Sequence, residues 1–138
     1  MKQRKIISTY KRIFKEDEQI TNSNFIIKFQ EILSQVKLFH WQTFGFAEHK
    51  AFGDYYDSLG DLIDKFVEVS FGNDGRKSSV GSIQLFDYEQ TKALDYIREI
   101  TMYLKQLRNE FSSFTELQNI IDEITAETNK LRYLLTLK

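Results

Sequence analysis

The chain has 138 residues, a net charge of −1, 41% hydrophobic residues and 14% aromatic ones, with no cysteine and no proline. That size and composition suit one globular domain, and no apolar run approaches the roughly 20 residues that span a bilayer. The lack of cysteine excludes disulfides, thiolate metal sites, iron–sulfur clusters and cysteine nucleophiles, which leaves histidine and carboxylates as the only candidate metal ligands.

Charge is distributed unevenly. Met1 to Lys15 carries Lys2, Arg4, Lys5, Lys11, Arg12 and Lys15 and no acid, so all 20 acidic residues follow it. Residues 1–20 therefore read in two ways. One is a basic arm that contacts nucleic acid or an anionic surface through residues 1–15. The other is a short amphipathic helix that docks Ile6, Ile7, Tyr10, Ile13 and Phe14 on the body formed by residues 21–138. The basic start lacks the continuous apolar segment of a secretory signal, which predicts a cytoplasmic protein.

Without proline, long helices are permitted. Thr21, Asn22 and Ser23 offer N-cap chemistry for a first helix over about 23–43, in which Phe25, Ile26, Phe29, Ile32, Leu33, Val36 and Phe39 recur at three and four residues. After a turn at "TFGF", a second helix runs from Ala47 to about 71 on Phe52, Tyr55, Tyr56, Leu59, Leu62, Ile63, Phe66 and Val69. The stretch Phe71 to Asp87, rich in glycine, serine and charge, reads as a long connection. A third helix carries Ala93, Leu94, Ile97, Ile100, Met102, Leu104 and Leu107 to about Phe111. A fourth, with Ser113 and Glu116 at capping-box spacing, carries Leu117, Ile120, Ile121, Ile124, Leu131, Leu134 and Leu135. The fold class is all-α. Short, long and short connections fit a ferritin-like four-helix bundle whose long link joins helices two and three in parallel, with an up-down-up-down bundle as the competing topology.

Both histidines and the only tryptophan lie between Lys37 and Glu68. Glu-x-x-His pairs of the kind that hold two irons inside one bundle are absent, since Lys37 and Phe46 stand three residues before His40 and His49. Projected at about 100° per residue, His49, Asp57, Asp64 and Glu68 share a stripe within roughly 100°, away from the apolar arc of the second helix. A metal on that stripe needs ligands from a second chain. His40 projects into the apolar arc of helix one with Trp41 at its edge, so His40 also reads as a hydrogen-bonded core histidine, and the acidic stripe also reads as a solvated helix face. No glycine-framed serine, Ser-His-Asp order or Walker spacing supports nucleophilic catalysis or nucleotide hydrolysis.

"HW" at His40 and Trp41, "EHKAFGDYYDSLGDLIDKFVE" from Glu48 to Glu68, and "NKLRYLL" from Asn129 to Leu135 resemble Dps proteins, the DNA-binding proteins from starved cells. They are similar too to short ferritin-like proteins of phage and virus genomes, for which the location is host cytoplasm or virion. The Dps resemblance implies a homo-oligomer in which a site shared between two subunits binds and oxidises Fe²⁺ to Fe³⁺, for iron sequestration and oxidative protection. It assigns His40 and His49 from one subunit, and Asp64 and Glu68 from the other, as metal ligands. Zn²⁺ is an alternative occupant of such a nitrogen and oxygen set, and no catalytic residue beyond the metal ligands is implied.

The chain departs from the Dps pattern where the acid after the second histidine is expected. Gly53 stands there, with Asp57 and Asp54 as the nearest substitutes. The segment between the histidines is also shorter, and the long connection has no room for the small extra helix of Dps proteins. These departures support a second reading, a non-catalytic ferritin-like bundle that acts as a structural or interaction protein, viral or phage-borne.

Overall fold

The computed structural model describes the backbone of residues 21–138 and the side chains from Phe25 onward. The expected basic arm or short helix lies outside the described residues, as do the side chains of the proposed N-cap at Thr21, Asn22 and Ser23. Among the described residues there are four helices and no strand. They are α1 (Thr21–Gln42), α2 (Phe46–Asp74), α3 (Gln90–Glu110) and α4 (Thr115–Leu134).

Each helix turns its apolar stripe inward. Phe25, Phe29, Ile32, Val36 and Phe39 from α1 are fully buried, and Phe52, Leu59 and Phe66 from α2 meet them. Leu104 and Leu107 from α3 and Ile121 and Ile124 from α4 close the core. Aromatic rings fill it at both levels. Phe66 packs edge-on against Phe25, Phe29 and Phe111 at centroid distances of 5.1, 5.6 and 5.3 Å. Phe39 does the same with Phe86, Tyr88 and Tyr96 at 5.4, 5.8 and 5.9 Å. Edge-on rings of this kind add about 0.5–1.5 kcal/mol per pair beyond the area they bury.

The order of the helices around the bundle distinguishes the two candidate topologies. Helix α1 packs on α2 and α3, and α4 packs on α2 and α3, so α1 and α4 stand diagonally opposite, as do α2 and α3. An up-down-up-down bundle would instead set α1 beside α4. The connection between α2 and α3 explains the order, because it climbs α1 from start to end. Gly81 lies against Ile27, the Gln84 N–H bonds Glu31, Phe86 bonds Gln35, and the Tyr88 N–H bonds Gln42. The link thus crosses the length of the bundle and starts α3 beside the end of α1, so that α2 and α3 run parallel.

Two local expectations change. Helix α2 continues through Gly72 to Asp74 and breaks only at Gly75, whose φ of 84° belongs to the region favouring glycine and whose N–H bonds the Phe71 carbonyl at 2.7 Å. The capping box at Ser113 and Glu116 does not form, because the N-cap is Phe114 and it has no side-chain cap bond. Glu116 instead accepts a hydrogen bond from Asn73 at the far end of α2, at 2.7 Å, which ties the α3–α4 turn to α2.

Candidate functional site

The two histidines meet at the end of the bundle where α1 turns into α2. His40 sits in the last turn of α1 and His49 in the first turn of α2, with three residues between the helices. Their imidazole rings stack, 4.0 Å between centroids and 18° between planes. His40 Nδ1 bonds the His49 carbonyl oxygen at 2.6 Å, and His49 Nδ1 bonds the His40 carbonyl oxygen at 2.8 Å.

A carbonyl can only accept, so each Nδ1 carries a proton and each Nε2 holds the free lone pair of the neutral ring. The local reason for this lock is helix-end chemistry. The last carbonyls of α1 have no partner within their own helix, and His49 caps one of them from the next helix. Thr43 Oγ1 donates to the same His40 oxygen at 3.3 Å.

Gly53 makes room for the pair. A Cβ built on Gly53 would stand 2.7 Å from His40 Cε1 and 2.9 Å from His40 Nδ1. The ring of His40 therefore occupies the space over Gly53 into which a carboxylate at that position would project. The first acid of the Dps pattern and the observed place of His40 exclude each other.

The remaining carboxylates do not join the histidines within one chain. At about 1.5 Å per residue, Asp57 lies about 12 Å along α2 from His49, Asp64 about 22 Å and Glu68 about 28 Å. All three are exposed, on the outward face that the projection assigns them, and none is in an ion pair among the described residues. Asp54 pairs with Lys50 at 3.5 Å. No group of three or more histidines and carboxylates placed to hold a metal ion occurs among the described residues. A single chain thus offers two Nε2 atoms at one end and an acidic stripe further along, and the complete set of His40, His49, Asp57, Asp64 and Glu68 requires more than one chain.

Trp41, projected at the edge of the apolar arc, is 67% exposed, with the Lys37 ammonium 5.6 Å from its ring centroid. Phe44 and Phe46 in the same turn are 97% and 78% exposed. An open groove of about 360 Å³ lies elsewhere, lined by Phe86, Lys92, Asp95, Tyr96 and Glu99. Its rim charges are engaged in surface pairs, Lys92 with Glu89 at 3.6 Å and Asp95 with Arg98 at 3.2 Å.

Sequence reasoning passed over the polar side chains of α1 that hold the crossover. Gln35 is fully buried, donates to the Phe86 carbonyl at 2.9 Å and accepts from the Phe86 N–H at 3.0 Å. Gln42 accepts from the Tyr88 N–H at 2.7 Å and donates to Asp87 at 3.0 Å. The signal was there in Glu31, Gln35 and Gln42, polar residues at helical spacing along one face.

The match to a family model described as a family of unknown function, DUF5856, covers residues 40–135, from His40 to the end of α4. The chain belongs to that family. It is 32% identical over 102 residues to an "uncharacterized 14.6 kDa protein in mobD-ri intergenic region" of Enterobacteria phage T4, an alignment that covers 72% of this chain and 75% of that protein. No solved structure matches the chain. No helix among the described residues is long and apolar enough to cross a membrane.

Proposed function

We propose that this member of DUF5856 is a ferritin-like helical protein of phage type that works by binding a partner through its surface and has no oxidation chemistry of its own. The observation that supports this reading most directly is the reciprocal lock of His40 and His49. Both histidines have a structural task, joining α1 to α2, and the ring of His40 fills the space where a Dps-type site needs its first acid. The crossover link between α2 and α3 and the pairing of α1 with α3 agree with a ferritin-like order of helices. The relation to a phage T4 protein agrees with a phage role, in host cytoplasm or virion.

A second reading keeps Fe²⁺ as substrate at an inter-subunit site of a homo-oligomer. The exposed, unpaired Asp57, Asp64 and Glu68 on the outward face of α2 favour it, together with the two free Nε2 atoms. In that reading Asp64 and Glu68 of one subunit approach the histidines of another, and Zn²⁺ competes for the same ligands.

Anaerobic Fe²⁺ titration of the metal-free protein, followed by dioxygen or peroxide, separates the two. The first reading expects no saturable binding and no acceleration of oxidation over buffer. Saturation at one or two irons per subunit with fast oxidation, lost in Asp64→Ala, would replace it with the second. The third expectation, contact with nucleic acid through residues 1–15, is independent of both. It predicts DNA binding that falls steeply with salt and disappears when those residues are removed.

A further inference from the structure

The α1–α2 end of the bundle exposes Trp41, Phe44 and Phe46 within one six-residue turn, at 67%, 97% and 78%. At 150–250 Å² per aromatic side chain, the three present on the order of 500 Å² of apolar surface to solvent. Tyr133 and Leu137, 63% and 46% exposed, belong to the same end, where Leu135 borders Glu48 and Phe52. At the opposite end, the α3–α4 turn exposes only Phe114 among its large apolar side chains, at 38%.

The turn that carries the aromatics is rigid. The stacked histidines clamp its two sides through reciprocal bonds of 2.6 and 2.8 Å, and the Thr43 N–H bonds the Phe39 carbonyl at 3.0 Å. A backbone held in this way has little further to lose on docking, and exposed aromatics are the residues that dominate binding hot spots.

We infer that this aromatic end is an interface between two copies of the chain, which meet tip to tip about a two-fold axis. The inference rests on the interaction reading above and names its partner. A standard interface takes about 800 Å² from each partner around an apolar centre, and the three aromatics provide more than half of that before any rim residue is added.

The rim favours a second copy over an anionic surface. Its charges are of both signs. Lys50 faces Asp54 at 3.5 Å and Lys92 faces Glu89 at 3.6 Å, while the Lys37 ammonium lies 5.6 Å from the Trp41 ring centroid and Asp87 accepts from the neutral Gln42 amide at 3.0 Å. A second copy can therefore set cations against carboxylates, and the surface is not the uniformly basic one that anionic lipid favours.

The test is molecular mass against concentration by light scattering, on the full chain and on the Trp41→Ser/Phe44→Ser variant. The full chain is expected to pass from one-chain to two-chain mass as concentration rises, and the variant to stay at one-chain mass with unchanged helicity. Because the described residues and the sequence hold no cysteine, an introduced thiol reports on position. Gly45→Cys, in the same turn but outside the aromatic set, is expected to form an interchain disulfide faster than Ser112→Cys at the far end. One-chain mass at every concentration, association undiminished in the variant, cross-linking no faster at Gly45→Cys, or vesicle binding of a protein that stays at one-chain mass would each overturn the proposal. Failure of the iron titration to stay silent would instead remove the interaction reading, so the two failures are told apart.

Discussion

His40 and His49 lie nine residues apart and hold each other by the backbone: each ring donates through Nδ1 to the other's carbonyl, and the two rings stack at 4.0 Å. The pair joins the end of α1 to the start of α2 through main-chain acceptors. It should behave as one unit. His40→Ala and His49→Ala are each expected to cost about 1–2 kcal/mol, and the double variant less than the sum by about 0.5–1.5 kcal/mol. A double-mutant cycle by urea unfolding measures this coupling, and strictly additive losses would show that the stack and bonds do not act together.

Gly53 and Gly60 lie in the same helix and should respond oppositely to a methyl group. At Gly53 the new Cβ meets the His40 ring at 2.7 Å, and that ring is held by its bond and its stack, so it cannot yield without breaking the lock. Gly53→Ala is expected to destabilise by about 1–3 kcal/mol. At Gly60 a Cβ meets nothing within 4 Å, so Gly60→Ala should stabilise by about 0.5–1 kcal/mol through helix propensity. Thermal unfolding of the two variants gives the signs, and adding His40→Ala should remove most of the Gly53→Ala penalty.

These two glycines show what the sequence disclosed and what it withheld. The four helices were legible because apolar residues return every three or four positions and no proline interrupts them. The long middle link pointed to the crossover. Gly53 read as a missing carboxylate, since spacing along one helix cannot reveal that a ring from the preceding helix would arrive at the same point. The histidine lock was hidden for the same reason: its acceptors are main-chain carbonyls, which no side-chain pattern marks. The capping box at Ser113 and Glu116 failed because α4 starts one residue later, with Phe114 as its N-cap, and the Glu116 carboxylate bonds Asn73, 43 residues earlier.

Gln35 is the buried fastener of the crossover. Its amide satisfies both the N–H and the carbonyl of Phe86, whose ring packs on Phe39 and Tyr96. Gln35→Leu keeps the volume and strands two main-chain groups, with an expected loss of about 2–4 kcal/mol. Hydrogen exchange should localise the damage, with faster exchange at Phe86 and its neighbours than in α2 or α4. Uniform loss of protection would mean that the link is not held separately.

Acid should loosen the contact between α3 and α4. Two hydrogen bonds from Arg108, at 2.7 and 3.2 Å, hold the Asp122 carboxyl below its ordinary value. A carboxyl depressed in the folded state adds stability above its unfolded pKa, and that stability is lost as pH falls through the folded value. Asp122→Asn should therefore lower stability slightly at neutral pH, as suits an exposed pair, and the difference from the unaltered protein should shrink as acid protonates Asp122 in the folded chain. A difference that does not change with pH would assign the effect to packing.

Alkali acts on the core. Burial pushes the Tyr55 hydroxyl up to about 12, and burial raises Tyr96 and Tyr103 further. Thr128 already donates to the Ile124 carbonyl at 2.8 Å, so Tyr55 must be the donor in the Tyr55–Thr128 bond and needs its proton to make it. Each of these groups has a folded pKa above the ordinary tyrosine value near 10, so between the two values the folded chain keeps protons that the unfolded chain has released. Their contribution is complete below about pH 10 and is lost as pH rises through 12 and beyond. Stability should fall steeply from pH 10 upward, and tyrosinate absorbance from the buried groups should appear together with the loss of helical circular dichroism. In Tyr55→Phe the slope of stability against pH should drop by about one proton over that range. Full tyrosinate absorbance with the helices intact would mean that these hydroxyls reach solvent without unfolding.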